Sequence, residues 1–226
     1  MSFWTPKPER TINFCHGTPR PEAPIHSFKD FALHIAVVTC GILIALRLEG
    51  IREAVHNHTL VRETRENVRY EMNIDRDHSI DEIRRVSLYS KQLKSLAADL
   101  PLLAKEHPEQ INIRLAAIDN PEYFFIANSW QSALSTGSLE HMSTQEVNVY
   151  GGAAESIKVY TELQKNAVAE EARSKAFFTA HPQLNSDRLA EGSEHLLLFY
   201  NAERELANVG PQMQQQIEQV LDAVNH

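Results

Sequence analysis

The chain has 226 residues, 42 % of them hydrophobic and 23 % charged, a balance that excludes global disorder and a multi-span membrane protein. A formal net charge of -8 argues against a nucleic-acid binder, whose phosphate contacts need a surplus of Lys and Arg. The length suits one domain plus an anchor rather than two full domains, and Cys15 and Cys40 alone make no disulfide framework.

In chain order, residues 1–28 read as an extended tail. Pro6, Pro8, Pro19, Pro21, Pro24 and Gly17 oppose regular structure, while Phe3, Trp4 and Phe14 suit docking on a partner or on a membrane surface.

Residues 29–48 read as a transmembrane helix. Between Asp30 and Arg47 stands FALHIAVVTCGILIAL, without a charge and with His34 as its one polar ring. A run of roughly 16 residues covers about 24 Å, short of a hydrocarbon core near 30 Å. Lys29 and Arg47 can snorkel to the headgroups, and Leu48 and Ile51 extend the apolar surface by a turn. Its Phe, Leu, Ile and Val residues favour insertion by about 3 to 5 kcal/mol in sum. The competing readings are a buried core helix and a cleaved signal peptide. Arg47, Leu48 and Glu49 offer no small-x-small cleavage site. Lys7, Arg10, Arg20 and Lys29 before the helix balance Arg47, Arg52, Arg62 and Arg65 after it, so charge alone leaves the orientation tied.

Residues 49–226 read as an all-α soluble domain, a bundle of about four principal helices continuing from the anchor. Residues 51–100 hold strong helix formers. Val61, Thr64 and Val68 share one face, as do Ile80, Ile83, Val86, Leu93, Leu96 and Leu100, and DRDHS at 75–79 predicts a turn between two helices. Pro101, Pro108 and Pro121 bound a connecting region with a short helix around 111–118. Asn120 and Pro121 predict the start of a helix carrying Phe124, Phe125, Trp130 and Leu134, with Gly137 as its C-cap. Ser143 and Glu146 have capping-box spacing and open a helix that runs toward Phe178 and ends before Pro182. Asp187 is positioned to cap the next helix, and Gly210-Pro211 predicts a break before the last one.

Two segments, GILIALRLEGIRE at 41–53 and SWQSALSTGSL at 129–139, resemble signatures of an uncharacterised family of bacterial single-pass membrane proteins. The resemblance implies a cytoplasmic N-terminus and a helical domain on the outer side of the inner membrane. It brings no catalytic residues.

Candidate site residues are few. His34, Val38, Gly41 and Ala45 share a helical face on which the small residues admit a second helix, so this face is expected to pack against a partner or another copy. A His34 resting in the headgroup interface is the plainer reading, and ligation of a tetrapyrrole or metal ranks below both. Phe124, Phe125 and Trp130 are expected to be core aromatics, or else to line a ligand pocket. Glu53 and His56 have Glu-x-x-His spacing, but a carboxylate-bridged di-iron bundle needs two such motifs and only one is present. His56 with His58, and Glu191 with His195, lack a third ligand. Neither a nucleophile elbow nor a phosphate loop occurs, so no catalytic residue, metal or cofactor is expected. The expected function is non-catalytic: a membrane-anchored interaction or scaffold protein in a membrane or envelope complex, with a protein partner or a second copy. The alternative is an extracytoplasmic sensor or small-ligand-binding domain.

Overall fold

The computed structural model describes residues 28–119 and 123–225. The fold is all-α: among the described residues every regular element is helical. The described residues form five helices, α1 (Phe28–Glu106), α2 (Glu109–Ala116), α3 (Asn128–Thr136), α4 (Thr144–Ala180) and α5 (Ser186–Asn225), with one 3-10 turn (Ser138–His141) between α3 and α4. The expected tail falls outside the described residues apart from Phe28. The described residues divide into two units at Arg52 and Glu53.

In the first unit, the N-terminal part of α1 is apolar and uncovered. An 18-residue window there has a mean hydropathy of 2.2 and is 0 % buried. By length and composition it is capable of crossing a membrane.

The second unit is built on the rest of α1. Its buried residues, Val61, Thr64, Val68, Met72, Asp75, Ser79, Glu82, Val86, Leu93, Leu96 and Leu100, follow one another mostly in steps of three or four. That spacing keeps one stripe of the helix against its neighbours. The turn expected at 75–79 does not form, because Asp75 and Ser79 occupy that stripe and the helix passes through them. Ile80 lies off the stripe and is exposed.

Three long helices make the bundle, and the contacts set their direction. Arg65 pairs with Glu146, and Glu82 with Gln164, so α1 and α4 run parallel. Arg69 donates to the Val224 carbonyl and Ile83 lies against Gly210, so α5 runs antiparallel to α1. Hydrophobic residues gather in two clusters. One joins Val68, Met72, Val86, Tyr160, Leu206 and Met213, and the other joins Leu93, Leu96, Leu100, Ile111, Leu115 and Phe199.

Helix ends follow local chemistry in some places and tertiary packing in others. The capping box is complete: Glu146 N-H donates to Ser143 Oγ at 3.2 Å, and Ser143 N-H to Glu146 Oε2 at 3.0 Å. Gly137 takes the left-handed conformation, φ 73°, as the cap of α3. The cap of α5 is Asn185 rather than Asp187, since Asn185 Oδ1 accepts from Arg188 N-H at 2.9 Å. Pro101 and Pro211, expected to end helices, both lie inside them. Fully buried Leu100 precedes Pro101 and partly buried Leu103 follows it, and buried Leu206 and Met213 bracket Pro211, so core packing on both sides offsets the backbone hydrogen bond that each ring removes.

A polar set crosses this interior. Glu82 Oε1 accepts from Gln164 Nε2 at 3.0 Å and from the Tyr160 hydroxyl at 3.5 Å, and its other oxygen holds Arg85. Burial pushes the Tyr160 hydroxyl well above its ordinary value, and the nearby Glu82 charge adds to the shift.

Candidate functional site

His34, Val38, Gly41 and Ala45 are all exposed in the first unit, and nothing comes within 4 Å of a Cβ built on Gly41. No described residue packs on this face.

The metal-spaced residues do not converge. Glu53, His56 and His58 are exposed. Glu191 pairs with Arg188 at 2.5 Å, while the His195 ring lies against Phe177 with centroids 4.8 Å apart. Among the described residues no group of three His, Cys, Asp or Glu side chains is placed to hold a metal ion.

The aromatics are carried differently from expectation. Residues 123–127 are not helical, and α3 begins only at Asn128, so Phe124 and Phe125 lie on an irregular crosspiece. Buried backbone groups of an irregular segment lack helix partners and need others, such as side chains. Here Thr161 Oγ donates to the Phe125 carbonyl at 2.8 Å, and Gln164 Nε2 to the Tyr123 carbonyl at 3.2 Å. Phe125 is 1 % exposed and meets Tyr123 and Tyr160 edge-on, which makes it a core residue. Phe124 is half-buried. Trp130 is also half-buried; it packs against the first cluster and borders an open cleft of about 330 Å³ with Gly151, Lys158 and Glu162.

Opposite α1 the crosspiece forms a second cleft, of about 360 Å³, which the sequence reading missed. Its walls are Tyr70, Ile74, Tyr123 and Ile126, and Glu71 and Asp75, one helical turn apart on α1, supply its acids. Glu71 Oε2 accepts from Ser129 N-H at 2.8 Å and from Ser129 Oγ at 2.7 Å. Asp75 Oδ1 accepts from the Tyr123 hydroxyl at 2.8 Å. The second oxygen of each carboxylate is buried without a hydrogen-bond partner. Desolvation raises Asp75 to about 6; the Tyr123 bond opposes the shift and the Glu71 charge reinforces it. Reciprocally, burial first and then Asp75 hold the Tyr123 phenol protonated. Asp75 was hidden because DRDHS resembles a turn. The signal that marks it is the spacing from Val68 and Met72, which sets it on the buried stripe.

No protein-family model matches the chain, and comparisons with curated proteins and with solved structures find no match.

Proposed function

We propose that this protein is a non-catalytic, membrane-anchored interaction protein, an accessory component of a bacterial envelope or inner-membrane complex. The observation that carries this reading is the uncovered apolar start of α1, 0 % buried at a mean hydropathy of 2.2. Leu33, Ile42, Leu43, Ile44 and Leu46 are each more than half exposed, and water is a costly surrounding for so contiguous an apolar surface. The lipid bilayer covers it. The N-terminus is cytoplasmic and the helical bundle lies on the outer side of the inner membrane, in line with the resemblance carried by residues 41–53 and 129–139.

Tethering is the role this architecture supports, because one apolar anchor leads into an acidic helical domain. The face with His34, Val38, Gly41 and Ala45 is where a second transmembrane helix would approach, through either a partner or another copy. Extraction of native membranes with a mild detergent, followed by native mass measurement, tests the reading. A defined complex or oligomer is expected; a strictly monomeric species with no co-purifying chain contradicts it. Protease added to intact spheroplasts is expected to digest the bundle, and full protection would overturn the orientation.

A further inference from the structure

We propose that the crosspiece is a pH-sensitive latch: it stays closed over Asp75 in mild acid and opens locally as pH rises, without the rest of the bundle unfolding. This goes beyond tethering and does not depend on it.

The contact between the crosspiece and α1 rests on few bonds. Residues 123–127 are irregular, and their end is tied to α1 through the Tyr123 hydroxyl on Asp75 at 2.8 Å and through Ser129 N-H on Glu71 at 2.8 Å. Both acceptors are acids, one helical turn apart. Asp75 is 1 % exposed, and the second oxygen of each carboxylate is closed to solvent and without a donor. Neither water nor an outside cation reaches those oxygens while the segment is closed, so a charge on Asp75 beside Glu71 has little to offset it. Opening hydrates both acids.

The surroundings supply no counter-charge. On α1, Arg76 is turned to Asp77, and His78 stacks on the Tyr123 ring at 4.0 Å. On the crosspiece, Tyr123 is a phenol that keeps its proton. On α4, Gln164 donates to the Tyr123 carbonyl and to Glu82, whose other oxygen holds Arg85. Among the described residues, no charged group of α4 or α5 acts on Asp75. Desolvation is the largest cause raising Asp75 to about 6; the Tyr123 bond opposes it and the Glu71 charge adds to it. The closed segment therefore binds the proton more tightly than an open one. Closure is favoured below the ordinary aspartate value and weakens as pH rises toward and past about 6. Opening is local because side chains hold the crosspiece, whereas continuous helices hold α1 and α4.

Hydrogen exchange of the full-length protein in detergent tests the latch, read by mass spectrometry on peptides covering 123–131 and 153–167 and corrected for the intrinsic rate at each pH. Residues 123–131 are expected to be at least about tenfold less protected than 153–167 of α4. Their protection is expected to fall about tenfold between about pH 5 and about pH 7. Asp75→Asn is expected to give equal protection of 123–131 at both pH values. Tyr123→Phe keeps the ring and removes the bond, and is expected to lower that protection at both values, more so at the higher one. The wild-type profile decides by itself if a variant fails to fold. Protection of 123–131 that is level with pH in wild type, that equals the protection of 153–167, or that falls undiminished in a folded Asp75→Asn variant overturns the proposal.

Discussion

The Tyr123 hydroxyl donates to Asp75 Oδ1 at 2.8 Å, and this bond ties the irregular crosspiece to a fully buried position on α1. Asp75 is raised from 3.8 to about 6, chiefly by desolvation. A carboxyl that holds its proton more tightly in the folded state gives stability that is fully present below its unfolded value and lost as pH rises through its folded value. The resulting loss between about pH 4 and about pH 6 is on the order of 3 kcal/mol. Asp75→Asn retains an acceptor for Tyr123 and no longer titrates. Urea unfolding is expected to show it more stable than wild type at about pH 7, with the advantage vanishing near about pH 4. A constant difference across that range would contradict the assignment.

The start of α4 titrates in the opposite sense. Arg65 donates to Glu146 at 2.7 Å, and this bond is the main cause holding the Glu146 carboxyl below its usual range, with Ser143 assisting. Its contribution is therefore present above the ordinary glutamate value and lost as pH falls below it. The Arg65 side chain is 44 % exposed, so solvent screening limits the ion pair to under about 1 kcal/mol. Ser143→Ala is expected to cost about 1 kcal/mol through the lost cap. Glu146→Gln should cost a similar amount at neutral pH, with the gap to wild type narrowing in acid; thermal unfolding across pH checks both.

Much of this fold was legible in the sequence, where local chemistry decides. Ser143 with Glu146, Gly137 and Pro182 each mark a helix end through backbone groups a few residues away. The misread places are those decided by distant contacts. Asp75 and Ser79 have turn-forming side chains, yet the spacing set by Val68, Met72 and Val86 holds them in α1. Gly210-Pro211 has the composition of a break, yet Leu206 and Met213 pack on either side of it. The cleft required knowing that residues 123–127 run irregularly past α1, and that path depends on Thr161 and Gln164, roughly ten helical turns of sequence away.

Glycine positions separate close packing from open surface. A Cβ built on Gly210 falls 2.8 Å from Ile83 Cγ1 and 3.5 Å from Tyr160 Cε2. Gly210→Ala is expected to cost about 1 to 3 kcal/mol, and less when it is made in an Ile83→Ala chain, which lacks the clashing Cγ1. Gly50→Ala meets nothing within 4 Å and should stabilise its helix by about 0.5 to 1 kcal/mol. Differential scanning calorimetry of these variants checks the contrast.

The account's central claim is that the start of α1 lies in a membrane, and alkaline carbonate extraction of membranes from cells producing the full-length chain tests it most directly. Two arginines in place of Leu43 and Ile44 cost about 5 to 7 kcal/mol, enough to cancel the insertion gain of about 3 to 5 kcal/mol. Wild type is predicted to remain in the membrane pellet while the Leu43→Arg, Ile44→Arg double variant appears in the supernatant. Release of the wild-type protein by carbonate would contradict the claim.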